Sequence, residues 1–394
     1  MKVIKKKKSL FFKAKFYLAI IIFIQVIVIV SLILSLYKNA HPLVTSSPNK
    51  YSETETLVHP YLGFVSNKDN DIYVNNFGFI GEAINRKDDE VKVGIFGGSV
   101  GLLYYIYEKD NLIRSLQQLD KFKGKKIKIY SFALGGYKQP QQLFTLTYLL
   151  SLGYHLDAII NIDGFNEVAL AYAENYKGGI SSYYPRTWNL YSRQYFNKDT
   201  YNLINTIEDL KTKENYFSNF PLIVKYVPIK IIDHLLRKKQ SDLQKLLQIS
   251  DKSFNIKGPE PFLQLTEKEI EQNIIDVWQN SSIQMAHLAE INHIEYFEFL
   301  QPNQYLVGSK QFTSEELDKY VKKESIYASP VEKLYPRIRE AAMRIKESQG
   351  IKIFDLTQVF TGELGTIYED DCCHYTKKGY SILTNYISEY INEN

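Results

Sequence analysis

Cysteine is nearly absent from this 394-residue chain: there are two, and they are neighbours, Cys372 and Cys373. Adjacent cysteines build no disulfide framework, so the fold must be held by its core. They build no structural zinc site either. Such sites separate their cysteines by two or more residues and draw on a second ligand cluster, which this sequence lacks. Basic residues outside the N-terminus are also scarcer than the net charge of +4 implies. Seven of the 48 fall in residues 1–15, and the remaining 41 face 44 acidic residues, a net of −3. That leaves no basic stripe to follow a nucleic acid. No internal repeat is evident. Neither a metal nor any other cofactor is expected.

The N-terminus is where the charge and the apolar residues concentrate. Residues 1–15 carry seven lysines and no acid, and residues 16–37 form an apolar run broken only by Gln25 and two serines. About 20 apolar residues span a bilayer's hydrocarbon core as a helix. The lysine-rich flank predicts a cytoplasmic N-terminus, a single membrane anchor and an exported remainder, periplasmic or on the cell surface. A cleaved signal peptide would have a shorter apolar core ending at a small-x-small site, whereas Lys38 stands where a small residue is expected. Residues 38–55 read as a polar linker, and 56–394 as one large domain.

Within that domain short apolar runs alternate with helical patterns. Lys92–Phe96, Lys126–Phe132, Leu156–Ile162, Ile294–Phe299 and Ile351–Asp355 read as strands. Gln141–Leu152, Glu267–Ile291, Pro330–Ser348 and Gly379–Ile391 read as helices. The alternation predicts a parallel sheet covered on both faces, with its site beyond the carboxyl ends of the strands. Residues 171–261 break the pattern with an aromatic cluster, then charged helical segments. They read as a largely helical insertion or lid between the third and fourth strands.

Four motifs fall at the ends of strands or before the last helix. Gly97-Gly98-Ser99 follows the first strand, where glycines allow a sharp turn and Ser99, opening a helix, projects its hydroxyl beyond the sheet. A serine hydroxyl needs an adjacent base to act as a nucleophile. His374 supplies that base, with Asp371 three residues before it to orient the imidazole. Leu134-Gly135-Gly136 and Gly164-Phe165-Asn166-Glu167 offer a backbone N–H and a side-chain amide for an oxyanion. Each motif alone has a plainer meaning: a helix cap for Ser99, a helix start for Asp371, a turn for Asn166. Tyr183, Tyr184, Trp188 and Tyr191 form a cluster that either packs a core or stacks on sugar rings of a substrate. Cys372 and Cys373 are either two inert thiols or the makings of a strained, reducible disulfide beside the histidine.

Taken in order, the four motifs resemble the SGNH/GDSL hydrolases, a family named for its Ser, Gly, Asn and His. Gly98-Ser99-Val100, Gly136, Gly164-Phe165-Asn166-Glu167 and Asp371–His374 match its blocks. Asn75-Asn-Phe-Gly-Phe-Ile80 and Phe299-Leu-Gln-Pro-Asn303 are similar to segments of its membrane-anchored bacterial members. The resemblance covers residues 92–394 outside the insertion, and it implies a flavodoxin-like, doubly wound α/β fold and metal-free ester hydrolysis or acyl transfer. It assigns Ser99 as nucleophile, His374 as base, Asp371 as orienter, and Ser99 N–H, Gly136 N–H and the Asn166 amide as oxyanion hole. Two positions depart from the pattern: Gly98 stands for the usual acid before the serine, and Glu167 for the usual Asp. The implied substrate is an acylated carbohydrate or another small cell-surface ester. An acyltransferase onto polysaccharide, or an inactive membrane-anchored assembly or binding protein, remain open alternatives. The sequence names no protein partner.

Overall fold

The computed structural model describes residues 56–67, 73–84, 90–191, 198–218, 220, 222–249 and 257–393, together with Tyr17, Ile22 and Gln25. The expected anchor (16–37) and linker (38–55) lie outside the described residues but for Tyr17, Ile22 and Gln25. Among the described residues no helix is long and apolar enough to cross a membrane. Two compact units divide the chain, one built on 54–191 and 256–394, the other including 192–255.

The first unit opens with a short antiparallel hairpin, β1 (Thr56–His59) and β2 (Gly63–Ser66). Its sheet has five strands, all parallel: β3 (Val91–Gly97), β4 (Ile127–Ala133), β5 (Ala158–Asp163), β6 (Glu295–Leu300) and β7 (Ile353–Asp355). Their order is β4-β3-β5-β6-β7, which is the flavodoxin-like arrangement. The central strands are buried along nearly their whole length. Covered on both faces, such strands read as continuous apolar runs instead of alternating ones.

The connections follow from strand order. The chain steps from β3 outward to β4 through α1 (Ser99–Gln118), then back across β3 to β5 through α2 (Gln141–Ser151). Right-handed crossovers made in opposite directions put these two helices on opposite faces. After β5 come α3 (Asn166–Tyr176), which winds with i→i+5 hydrogen bonds, and the short α4 (Trp188–Tyr191). The second unit contains α5 (Lys198–Ser218) and α6 (Leu222–Ile249), which bury Ile207, Leu210, Ile232 and Leu236 between them. The first unit resumes with α7 (Glu260–Gln264) and α8 (Glu267–Ile291), the latter started by a capping box between Thr266 and Glu269. Then follow β6, α9 (Ser314–Lys319), α10 (Ala328–Gln349), β7 and α11 (Lys377–Glu393). α8 packs with α2, α3 and α10, whereas α11 returns to α1.

The stretch 171–261 is therefore not one piece. Its first residues continue α3, which belongs with the sheet, as does the aromatic loop up to Tyr191; the helix pair α5–α6 forms the separate unit.

Candidate active site

The crossing point of a β4-β3-β5 sheet leaves a crevice at the carboxyl ends of β3 and β5. β3 ends at Gly97, whose φ of +135° few side chains tolerate. A Cβ there would also overlap the Ile162 carbonyl on β5. Gly98 is crowded for a different reason: a Cβ there would overlap the Asn166 amide nitrogen. An acid at this position would push the Asn166 amide aside.

Ser99 then opens α1. Gly98 occupies the cap position and no side chain caps the helix. Ser99 Oγ instead meets His374 Nε2 at 2.7 Å. The cap reading of this serine does not describe its hydroxyl, and the N–H groups of the first turn have no partner within the helix.

The carboxylate on His374 belongs to Asp370. Asp370 Oδ2 meets His374 Nδ1, while Oδ1 accepts from the N–H groups of Cys372 (3.0 Å), Cys373 (2.9 Å) and His374 (3.2 Å). The expectation for Asp371 is thus corrected, for a geometric reason. Residues 370–374 form a turn ahead of α11, not a helical turn, and Asp370 folds back over the N–H groups that follow it. Asp371 is exposed, and its carbonyl accepts from the Tyr305 hydroxyl at 2.7 Å. Burial alone would raise the Asp370 carboxyl. Hydrogen bonding and charge from His374, with the His374 and Cys373 N–H groups, outweigh it and hold the carboxyl at about 2. The loop after β6 fixes this turn from outside: Asn303 donates to the Cys372 carbonyl (2.9 Å) and Gln304 to that of Asp370 (3.0 Å).

Asn166 begins α3 just beyond β5. Its Nδ2 donates to the Tyr137 carbonyl at 2.7 Å. An amide nitrogen has two hydrogens, so one fixes the group and the other stays available. Gly136 precedes Tyr137 and has a φ of +81°. Glu167 ties the two loops together: it accepts from Gly164 N–H (2.7 Å) at the end of β5 and from Gln139 N–H and Gln142 Nε2 (3.1 Å each) beyond β4. Buried among these donors, Glu167 has a carboxyl raised by burial against the pull of the N–H groups.

An arginine that no motif singles out joins the site. The Arg186 stem lies over Gly136, where a Cβ would collide with it. Its guanidinium grips Glu174 of α3 through Nε (2.6 Å) and Nη2 (2.8 Å), and the Tyr327 hydroxyl donates to the same carboxylate at 2.7 Å. Thr187, the next residue, has a φ of +51°, an outlier for a β-branched residue. No sequence spacing links residues 174, 186 and 327. The signal that could have drawn attention was an arginine inside the aromatic cluster.

Of that cluster, Tyr183 and Tyr184 meet edge to face at 5.8 Å, and both are partly buried, as is Trp188. The loop carrying them is held from below, Asn175 donating to the carbonyls of Ser181 (3.0 Å) and Tyr184 (2.7 Å), and Lys138 to that of Tyr184. Tyr183 also lines a small recess with Gln139, Glu167 and Trp278.

No model of a known protein family matches this chain, and no curated protein matches it by sequence. Several solved structures do match. One is a GDSL-like lipase from Bacteroides thetaiotaomicron VPI-5482, at 14% identity over 79% of this chain and 92% of that one, with a TM-score of 0.34. Another is a candidate GDSL-like lipase from Parabacteroides merdae ATCC 43184, at 10% identity, 79% and 99% coverage, and a TM-score of 0.34. Likeness this low carries no chemistry across. What the site can do must come from its own residues.

Proposed function

We propose that the sheet unit is a serine esterase with Ser99 as nucleophile, His374 as general base and acid, and Asp370 as orienter of the imidazole. The observation that carries the reading is the continuous relay from Ser99 Oγ to His374 Nε2 (2.7 Å) and from His374 Nδ1 to Asp370. In this scheme Oγ attacks an ester carbonyl while its proton passes to Nε2, and Asp370 stabilises the imidazolium. The oxyanion meets Ser99 N–H, Gly136 N–H and the free hydrogen of the Asn166 amide. Collapse expels the alcohol, which takes the proton from Nε2. Water then repeats the sequence on the acyl-enzyme.

An acylated cell-surface carbohydrate is the substrate class proposed, with residues 16–37 as the anchor that exports the domain. A protease-protection assay on intact cells tests the anchor: protection of the Asn394 end until lysis would overturn it.

The chemistry is tested with a fluorophosphonate probe. Wild-type protein labels at Ser99, and Ser99→Ala does not. Equal labelling of both would refute the nucleophile, and absence of labelling from a folded wild type would refute the esterase.

A further inference from the structure

Cys372 and Cys373 take no part in the ester chemistry above, yet they occupy the centre of the turn that builds it. Their sulfurs lie 2.9 Å apart and are not bonded to each other. Cys373 is buried and Cys372 half-buried. Each gives its own N–H to Asp370 Oδ1. The Cys373 sulfur lies beside the Ser99 hydroxyl, and the Cys372 sulfur is within electrostatic reach of Arg186 and Tyr327.

A disulfide stabilises a fold mainly by closing a loop of chain in the unfolded state. A bridge between neighbours closes no loop, so these cysteines are not placed there as a staple. Packing alone does not require sulfur at both positions either, since free cysteine packs as a small hydrophobe and only Cys373 is buried. Two sulfurs in contact beside the nucleophile remain to be explained.

We propose that Cys372 and Cys373 form a reversible vicinal disulfide that switches the Ser99–His374–Asp370 site off. The inference rests on the esterase reading above. The oxidant is a low-molecular-weight disulfide, RSSR. Half-exposed Cys372 loses its proton to solvent, and its thiolate attacks one sulfur of RSSR, expelling RS⁻, which is protonated to RSH. Cys373 then loses its proton, and its sulfur attacks that of Cys372, breaking the mixed disulfide and releasing a second RSH. Two protein S–H groups are oxidised and one RSSR is reduced to two RSH. Burial pushes the Cys373 thiol well up, and the Cys372 sulfur pushes it further, which makes Cys372 the point of entry.

The consequence for the site is geometric. Neighbouring Cα atoms stand about 3.8 Å apart, less than the span an ordinary disulfide bridges, so closing the ring must turn the peptide between the two residues. That peptide carries the Cys373 N–H, one of three donors on Asp370 Oδ1. Losing it loosens the carboxylate that holds His374, and the same turn shifts the sulfur beside Ser99. The strain also leaves the bond easy to reduce, as a switch requires.

The test uses the full chain, equilibrated in mixtures of oxidised and reduced glutathione. Intact mass after acid quenching reports the loss of two hydrogens, and the rate of fluorophosphonate labelling at Ser99 reports the site. The labelling rate is expected to fall at least about tenfold, short of the roughly 10⁴ lost when an orienting carboxylate is neutralised outright, in step with the mass change, and to return with dithiothreitol. Cys372→Ser and Cys373→Ala should each label at one rate in both mixtures. Cys372→Ser, at the half-exposed position, keeps the test alive should Cys373→Ala misfold. A disulfide that forms without slowing the label overturns the switch, as does a wild type that forms none at any glutathione ratio. Failure of the reduced wild type to label overturns the switch and the esterase reading together. It is distinguished from failure of the switch alone, where reduced and oxidised protein label equally.

Discussion

Two groups of acids stand in and beyond the carboxyl half of this sheet, and their surroundings shift them in opposite directions. At the mouth, Asp370 collects three N–H groups and an imidazole, and is held ionised down to about pH 2. On the floor, Asp163, Glu167 and Glu298 lie buried together. Burial raises all three, and the neighbouring Glu298 and Glu167 raise Asp163 further; Glu298 is pushed up to about 7. Donors are present on the floor too: Trp278 Nε1 (3.2 Å) and Asn161 Nδ2 (3.1 Å) reach Asp163, and Ser282 Oγ (2.7 Å) and the Tyr296 hydroxyl (2.9 Å) reach Glu298. What separates the groups is that Asp370 is only part-buried and pairs with an imidazole, whereas the floor acids are fully buried and face one another. A carboxylate can serve an imidazole only in the first setting. The floor serves architecture, with Glu167 joining the two loops that carry Gly136 and Asn166.

The comparison breaks most visibly at Asp370. Asp370→Asn should retain the fold and lose turnover by up to about 10⁴, as when the orienting acid of a serine-protease triad is neutralised. Asp371→Asn, one residue away and exposed, should stay within about twofold, on the usual scale of surface changes. Ester turnover, with thermal melts on the same samples, separates lost chemistry from lost structure. Equal losses in both variants, or none at Asp370, would remove the distinction between mouth and floor.

A smaller loss is expected at Asn166, which stands between the two regions. Asn166→Ala removes an oxyanion donor, a change that typically costs about 10²–10³ in rate. The loss should appear in kcat with KM nearly unchanged, because the donor acts on charge present only in the transition state. Loss confined to KM would make Asn166 a binding group instead.

The five strands were legible because central parallel strands read as apolar runs, and β3 runs only one residue past the expected 92–96 at either end. The long helices α8, α10 and α11 were legible by their period. α3 was not: its i→i+5 winding departs from the 3.6-residue spacing that marks a helix in sequence. Of the site, Ser99 and His374 could be paired from their motifs, and Asn166 from its place after β5. The acid was read one residue late. Counting three positions back from His374 presumes a helical turn, and nothing in Glu369-Asp370-Asp371 says which carboxyl will fold over the following N–H groups. Arg186 and Glu174 were invisible for a broader reason. Their contact depends on how a loop crosses Gly136, and loops carry no period.

The floor makes the smallest and most specific prediction, read from stability. Glu298 ionises near 4.5 in an unfolded chain and near 7 in the folded protein. Between those values the folded protein holds a proton that the unfolded chain has lost. Stability therefore falls as pH rises across that window, since the slope follows the protons bound by the unfolded state minus those bound by the native one. Asp163 and Glu167, also raised, tilt the curve the same way. Asp370 tilts the other way, but its contribution is complete above about 3.8 and is lost only as pH falls toward 2. Lys138, pulled down to about 7 by burial, adds a rising slope only above that value. Glu298 should thus pull the melting temperature down from pH 5 to pH 7, against a rise from His59, whose pKa burial lowers, and Glu298→Gln should lessen the decline whatever it does to the absolute stability. Parallel curves for wild type and Glu298→Gln would show Glu298 already ionised in the folded protein, and the floor would then be held by its hydrogen bonds with no retained proton.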